Sequence, residues 1–257
     1  MKKTLIAAAV VAMSFSSAAN AALVNTIDLF TTAQAPLTDT TPGGAYIMSQ
    51  VGAVGDTSIL GGYRDLGVNL LTNGGVGTRD ANISVSSGFL DFSVDTLATG
   101  TGLVRWDGVN SAAAIDPTGL GGIFLADAAT SAFALDVIFS DGGFRFDLEA
   151  YTSANQWSKI QLISNAHVVP ETTYISLAAF GLCGFNNGVV IVTCGAGGAV
   201  DFASLGALQA VIDPLGGSTA IDLTLGQVVV VPEPASLALV GLGLLGVGAL
   251  RRRRSAK

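Results

Sequence analysis

Histidine and cysteine are scarce in this chain of 257 residues, which holds one histidine and two cysteines. Such a set forms no recognisable zinc site. A serine hydrolase needs a histidine base, but His167 lies in the predicted loop 165–170 and no Gly-x-Ser-x-Gly sequence accompanies it. No Gly-Lys-Ser/Thr phosphate-binding sequence occurs either. We therefore predict no catalytic, cofactor-binding or metal-binding residues, no cofactor and no enzymatic activity.

Positive charge is also scarce between the two ends of the chain. Residues 22–230 hold five lysines and arginines against eighteen aspartates and glutamates, which gives this body a net charge of −13. Such a body will not bind nucleic acid or an anionic membrane surface through its net field. Solubility explains the acidity most simply, and calcium binding stays open. The stretch 73–80 approaches a calcium-binding nonapeptide, but a repeat that works by stacking is not expected from a single copy.

The C-terminus holds the most distinctive pattern of the chain. Pro232-Glu233-Pro234 precedes sixteen residues without charge, 235–250, and four arginines follow as Arg251, Arg252, Arg253 and Arg254. The two prolines favour extended chain that a processing enzyme can bind. Sixteen helical residues span about 24 Å, slightly less than the roughly 30 Å hydrocarbon core of a bilayer. The pattern predicts a temporary membrane anchor with a cytoplasmic arginine stop, and a permanent C-terminal membrane helix is the alternative.

These three elements in this order resemble the PEP-CTERM sorting signal of exported proteins of Gram-negative bacteria. The resemblance covers residues 231–254 only. It implies recognition by exosortase, an integral-membrane cysteine transpeptidase, with Pro232, Glu233 and Pro234 as the sorting motif. It also implies transient anchoring in the inner membrane and a role in exopolysaccharide, biofilm or floc formation.

The N-terminus predicts a secretory signal peptide. Lys2 and Lys3 supply a positive region, residues 5–13 an apolar region, and Ala19-Asn20-Ala21 a small-x-small site for signal peptidase. We therefore divide the chain into a signal peptide (1–21), an exported body (22–230) and a sorting tail (231–257). The predicted route leads across the inner membrane, through a membrane-anchored stage, to the cell surface or extracellular matrix.

The body predicts an all-β fold. About ten to twelve short segments rich in β-branched and aromatic residues recur between glycine-containing turns, and helical signal is weak. The clearest pair is 133–139 and 144–151, joined by Ser-Asp-Gly-Gly. We expect one antiparallel two-sheet β-sandwich, jelly-roll-like. Arg64 is expected to be buried and paired with a distant carboxylate.

The two cysteines predict a local disulfide. Cys183 and Cys194 flank a segment with the turn signal Asn186-Asn187-Gly188 and the strand-like run 189–193. In an oxidising periplasm such a pair forms a bridge that contributes on the order of 3 kcal/mol. A cysteine-based metal or catalytic site lacks partners.

Three functions remain open, in order of preference. The first is a non-enzymatic structural or adhesive protein of the surface or matrix. The second is a carbohydrate-binding sandwich that presents aromatic rings, the candidates being Tyr63, Trp106, Tyr151 and Trp157, although core positions explain all four rings equally well. The third is a glycosidase in which Asp147 and Glu149, two residues apart on one strand face, are the paired carboxylates. The same pair also fits the solvent face of any amphipathic strand.

Overall fold

The computed structural model describes residues 25–109 and 113–233. The predicted signal peptide with Ala19 and Ala21, the last proline of the sorting motif, the apolar stretch 235–250 and the arginine cluster lie outside the described residues. Within the described ranges no segment is α-helical, and no helix there has the length and apolar character to cross a membrane.

Fourteen β-strands build the described part of the chain. They are β1 (Asn25–Asp28), β2 (Gln34–Asp39), β3 (Ile47–Gly52), β4 (Tyr63–Thr72), β5 (Ala81–Ser86), β6 (Phe89–Val94), β7 (Thr99–Trp106), β8 (Ser131–Ser140), β9 (Phe144–Tyr151), β10 (Trp157–Ser164), β11 (Glu171–Ser176), β12 (Val190–Cys194), β13 (Ala207–Ile212) and β14 (Asp222–Pro232). Two short 3-10 segments, Leu60–Gly62 and Leu177–Gly181, interrupt the connections.

The strands form two seven-stranded sheets. Sheet A has the order β11-β8-β14-β6-β5-β2, with β1 also paired to β14, and sheet B has the order β12-β10-β9-β13-β7-β4-β3. Every strand pair is antiparallel. The predicted all-β, two-sheet sandwich is therefore confirmed.

Alternating residues place the core between the two sheets. In β9 the side chains of Phe144, Phe146, Leu148 and Ala150 belong to the core, while the residues between them face away from it. Phe133 of sheet A packs edge-on against Phe180, and both rings contact Phe202. The core thus continues from the sheets under the 3-10 segment 177–181.

One ion pair lies inside this core, as expected for Arg64. Arg64 of β4 and Asp28 of β1 are both fully buried, and Arg64 Nη1 lies 2.9 Å from Asp28 Oδ1. The remaining donors of the guanidinium bond Gln34 and the backbone oxygen of Thr32, and Trp106 Nε1 donates to Asp28 Oδ2 at 2.8 Å. The pair links both sheets, and the several hydrogen bonds of each charged group offset part of the desolvation cost of burying it.

Candidate functional site

The last strand of the sandwich runs into the sorting motif. In β14 Val231 lies opposite Ala132, and Pro232 lies opposite Ser131 of β8. The boundary placed after residue 230 therefore falls inside a strand, because the valine run that ends β14 is needed to complete sheet A. Pro232 is the last residue of that strand, where a missing backbone donor costs no ladder bond.

Glu233 is also held by the sandwich. Its backbone N–H donates to the oxygen of Thr130 at 2.8 Å, and its Oε1 accepts a hydrogen bond from the hydroxyl of Ser176. Glu233 is half-buried. The first residues of the predicted tail are thus part of the folded body.

Both ends of the described chain emerge at the same end of sheet A. Strand β1 runs antiparallel to β14, and Asn25 lies opposite Val230. Only three residues separate Asn25 from the predicted signal-peptidase site after Ala21.

A second candidate site lies on the face of sheet B that points away from the core. There a line of polar side chains crosses six neighbouring strands in direct register. This line, the polar row, consists of Lys159, Glu149, Gln209, Arg105, Asp65 and Gln50. These residues come from distant parts of the sequence and meet only because the strands pair.

Hydrogen bonds and ion pairs connect the polar row along its length. Arg105 Nε donates to Gln209 Oε1 at 2.9 Å, and Gln209 Nε2 donates to Glu149 Oε2 at 3.1 Å. Gln50 Nε2 donates to Asp65 Oδ1 at 2.8 Å, and Arg105 Nη1 lies 4.0 Å from Asp65 Oδ2. Such a network fixes the rotamers of its members and presents donors and acceptors in a preset pattern.

The pKa of Asp65 is raised from 3.8 to about 6. Burial is the main cause, the nearby Asp107 carboxylate adds to it, and the Gln50 amide and Arg105 act in the opposite direction. Burial and the hydrogen bond to Glu149 likewise raise the pKa of Tyr151. The row therefore changes charge near its β4 end in mildly acidic solution.

A groove of ≈ 760 Å³ opens beside the middle of the row, where Arg105 and Gln209 line it. Its walls combine polar and apolar side chains, namely Tyr46, Met48, Asn69, Leu103, Arg105, Gln209 and Val211, with Gly44, Ala45 and Ala113 at the rim. Gly67 has no side chain and so leaves room for the Met48 side chain, because a Cβ at position 67 would lie 2.4 Å from Met48 Sδ. Among the described residues, the buried Oδ1 of Asn69 has no hydrogen-bond partner.

Two of the four aromatic candidates meet at the β10 end of the polar row. Tyr151 and Trp157 lie directly opposite each other on β9 and β10, with ring centroids 6.1 Å apart and planes tilted by 33°. Both are half-buried, as is Tyr63 on β4. The candidacy of Trp106 is wrong, because its ring is 2% exposed and lies in the core, where the indole bonds Asp28.

The two carboxylates considered for glycoside hydrolysis do lie on one strand face, but both are held by a lysine. Lys159 Nζ lies 3.3 Å from Asp147 Oδ2 and 3.9 Å from Glu149 Oε1. Gln161 donates to Asp147, and Tyr151 donates to Glu149. The geometry is that of a structural charge cluster.

The other residues singled out by the sequence occupy structural positions. Cys183 and Cys194 form a disulfide with a Cα–Cα distance of 5.4 Å, which ties β12 to the loop after the second 3-10 segment. His167 bonds the backbone of Ser140, and its Nδ1 lies 3.1 Å from Glu171 Oε2. In residues 25–109 and 113–233, no group of three histidine, cysteine, aspartate or glutamate side chains could hold a metal ion.

Comparisons with known proteins identify the C-terminal segment. Residues 230–254 match the PEP-CTERM protein-sorting motif, as the resemblance indicated. No curated protein matches the chain.

Similar solved structures include a family 11 carbohydrate-binding module from Clostridium thermocellum in complex with a β-1,3-1,4-mixed-linked tetrasaccharide. Its sequence identity is 9% and its TM-score 0.40, and the alignment covers 81% of this chain and 95% of that one. An exo-β-agarase matches at 8% identity and TM-score 0.41, covering 82% of this chain and 25% of that one. PfGH50B matches at 8% identity and TM-score 0.40, covering 65% of this chain and 22% of that one. This chain thus spans about a quarter of the length of the latter two, and scores this low assign it no activity.

Proposed function

We propose that this chain, which carries a PEP-CTERM sorting motif at residues 230–254, is an exported protein that signal peptidase and exosortase process. The sandwich is then displayed at the cell surface or in the extracellular matrix. The observation that carries the proposal is the tail itself: the motif begins at the last residue of β14, and the apolar stretch and the arginine cluster follow it directly.

The short connection gives this proposal a geometric consequence. Strand β14 ends at Pro232, and the apolar stretch begins three residues later at Ala235. Three residues span at most about 11 Å when fully extended. While the tail is in the inner membrane, the end of the sandwich around Glu233 must lie against the membrane surface, where a membrane-embedded enzyme has access to it.

A structural or adhesive role in an exopolysaccharide or biofilm matrix fits the body best. Its net charge of −13 favours solubility among crowded polymers. Its two sheets are joined by a buried ion pair, and one edge is tied by a disulfide. The candidate carboxylates Asp147 and Glu149 are paired with Lys159, which favours a non-enzymatic role.

Expression with and without an exosortase tests this proposal. The full chain should leave the membrane fraction only in the strain that contains the enzyme. Replacing Pro232, Glu233 and Pro234 by alanine should keep it in the membrane, whereas Pro170→Ala, at an exposed proline, should not. Equal membrane retention of the wild-type chain in both strains would contradict the proposal of sorting by exosortase.

Binding of a glycan on sheet B is the second candidate function. The favouring observation is that one face combines an aromatic pair, a fixed polar row and a groove. Rings of Tyr151 and Trp157 offer apolar surface to a sugar ring, and the amide, guanidinium and carboxylate groups of the row match sugar hydroxyls as donors and acceptors. From β10 to β3 the row crosses five strand spacings, about 24 Å, which suits an oligosaccharide chain.

The charge of the face selects the class of glycan. Within the row the charges of Lys159 and Arg105 balance those of Glu149 and Asp65, and beside it Arg145 balances Asp147. No excess of positive charge is present to attract a polyanion. A neutral polysaccharide of the producing cell is therefore the expected ligand.

Retention on the producer's exopolysaccharide tests this candidate. We expect the wild-type chain to be retained and Trp157→Ala and Gln209→Ala to reduce retention. Tyr174→Ala is the matched control, since Tyr174 is an exposed aromatic on sheet A. Equal retention of all four proteins, or no retention of the wild type, would count against the groove as a glycan site.

A further inference from the structure

We propose that the folded sandwich holds back the glutamate of its own sorting motif, so that exosortase must detach Glu233 from sheet A before it can bind the motif. This inference rests on the proposed processing by exosortase. The holding groups are Ser176 and Thr130, which belong to the body and lie 57 and 103 positions before Glu233 in the sequence.

The two contacts of Glu233 come from different segments of the fold. The backbone N–H bonds the oxygen of Thr130, the residue before β8, while the carboxylate accepts from Ser176, the last residue of β11. Ala132 of β8 lies opposite Ser176 on one side and opposite Val231 on the other. The glutamate side chain therefore reaches across β8 to the neighbouring strand, and both its backbone donor and its carboxylate are occupied by the body.

Within the described part of the chain, the last two residues of β14 pair on one side only. The register with β1 ends at Asn25 opposite Val230, and the register with β6 covers only Asp222–Leu225. Among the described strands, Val231 and Pro232 therefore pair with β8 alone. Release of Glu233 requires local peeling of the strand end from β8, whereas Val228, Val229 and Val230 remain paired with both β1 and β8 and the sandwich stays folded.

The Ser176 hydroxyl and exosortase compete for the Glu233 carboxylate, and this competition couples the hydrogen bond to the rate of processing. An enzyme that recognises Pro-Glu-Pro must bind the glutamate, and the oxygen that Ser176 occupies is one of only two that the side chain offers. Hydrogen bonds to a charged group are stronger than neutral ones, but Glu233 is only half-buried and water competes with Ser176. We therefore expect loss of the hydroxyl to accelerate processing about fivefold, the factor that about 1 kcal/mol gives.

Pulse-labelling of the full chain in cells with exosortase measures the rate of tail removal. Ser176→Ala should lose the tail about fivefold faster than the wild type, while its unfolding free energy falls by no more than this single hydrogen bond contributes, so that the sandwich stays folded. Ser176→Thr, which keeps the hydroxyl, should process at the wild-type rate. Ser176→Lys, which offers the glutamate a charged partner, should process more slowly. Ser86→Ala, at an exposed serine at the end of β5, is the matched control and should leave the rate unchanged.

Two outcomes overturn the inference without touching the sorting proposal. If Ser176→Ala is processed at the wild-type rate, the contact does not hold the motif back. If it is processed more slowly, the contact presents the motif rather than withholding it. Failure of the sorting proposal looks different, since then no protein in the series, wild type included, loses its tail when exosortase is present.

Discussion

Replacing Arg64 with methionine should destabilise the sandwich severely, because it leaves a carboxylate in the core without its cation. Arg64 is 0% exposed and makes hydrogen bonds to Asp28, Gln34 and the oxygen of Thr32. Methionine fills a similar volume, so the main loss is charge and hydrogen bonding rather than packing. Asp28 would keep only its bonds from Phe30 N and Trp106 Nε1.

The magnitude follows from the burial of both partners. Removing one member of a buried ion pair costs about 3–5 kcal/mol, a large share of the roughly 5–15 kcal/mol that stabilises a typical domain. Burial already raises the pKa of Asp28 while Arg64 lowers it, so loss of Arg64 raises it further. A raised pKa in the folded state gives stability that is lost as pH rises. The deficit of Arg64→Met should therefore be smaller in acid than at neutral pH.

Urea denaturation followed by tryptophan fluorescence measures the effect, since Trp106 donates to Asp28 and reports on this network. Arg145→Met is the matched control, because Arg145 is half-exposed and its side chain bonds Gln161 at the surface; the expected change is below about 1 kcal/mol. The double variant Asp28→Asn/Arg64→Met should be less destabilised than the sum of its single variants. An Arg64→Met protein within about 1 kcal/mol of the wild type would refute the reasoning.

Three further predictions concern titration, the disulfide and catalysis. The raised pKa of Asp65 implies a contribution to stability that is present below pH 4 and is lost as pH rises through about 6, a decline of up to ~3 kcal/mol. Asp65→Asn should therefore reduce the change of the unfolding free energy between pH 4 and 7. An unchanged dependence of the unfolding free energy on pH contradicts this. Reduction of the Cys183–Cys194 disulfide, or serine at both positions, should lower the unfolding free energy by at most about 3 kcal/mol and leave the far-ultraviolet circular dichroism spectrum unchanged. Two reactive thiols in denatured, unreduced protein would show that the disulfide is absent. Asp147→Asn/Glu149→Gln should leave any glycan-hydrolysing activity found in the preparation unchanged, and its loss would restore the glycosidase hypothesis.

Local sequence patterns predicted much of the fold. Strand β9 alternates apolar and polar residues strictly and follows a glycine-rich turn, so both its existence and its buried face could be predicted. Strands β2, β3 and β5 are not among the segments that the sequence pattern predicts as strands. The segment of β2 carries a proline and that of β3 few large apolar residues, and both are edge strands that need less apolar character. The segment of β5 alternates apolar and polar residues, but it is short and its polar residues are small. All three are strands because of the partners they pair with.

The candidate sites show the same limit. The sorting motif is a local pattern and could be recognised from sequence alone. The hydrogen bond from Ser176 to Glu233 could not be predicted, because Ser176 is 57 positions away and contacts Glu233 only after β8, β11 and β14 have paired. Trp106 was misassigned because alternation in β7 does not reveal which face is the core. The indole N–H of Trp106 can be buried because it donates a hydrogen bond to Asp28, which lies 78 positions away in the sequence.

The central claim, export followed by exosortase processing, is tested most directly by the intact mass of the protein recovered outside the cell. The account predicts a chain that begins at Ala22 and lacks the arginine cluster 251–254 when exosortase is present, and a chain that keeps this cluster and remains in the membrane fraction when the enzyme is absent. An identical mass with the arginine cluster intact in both strains would contradict it.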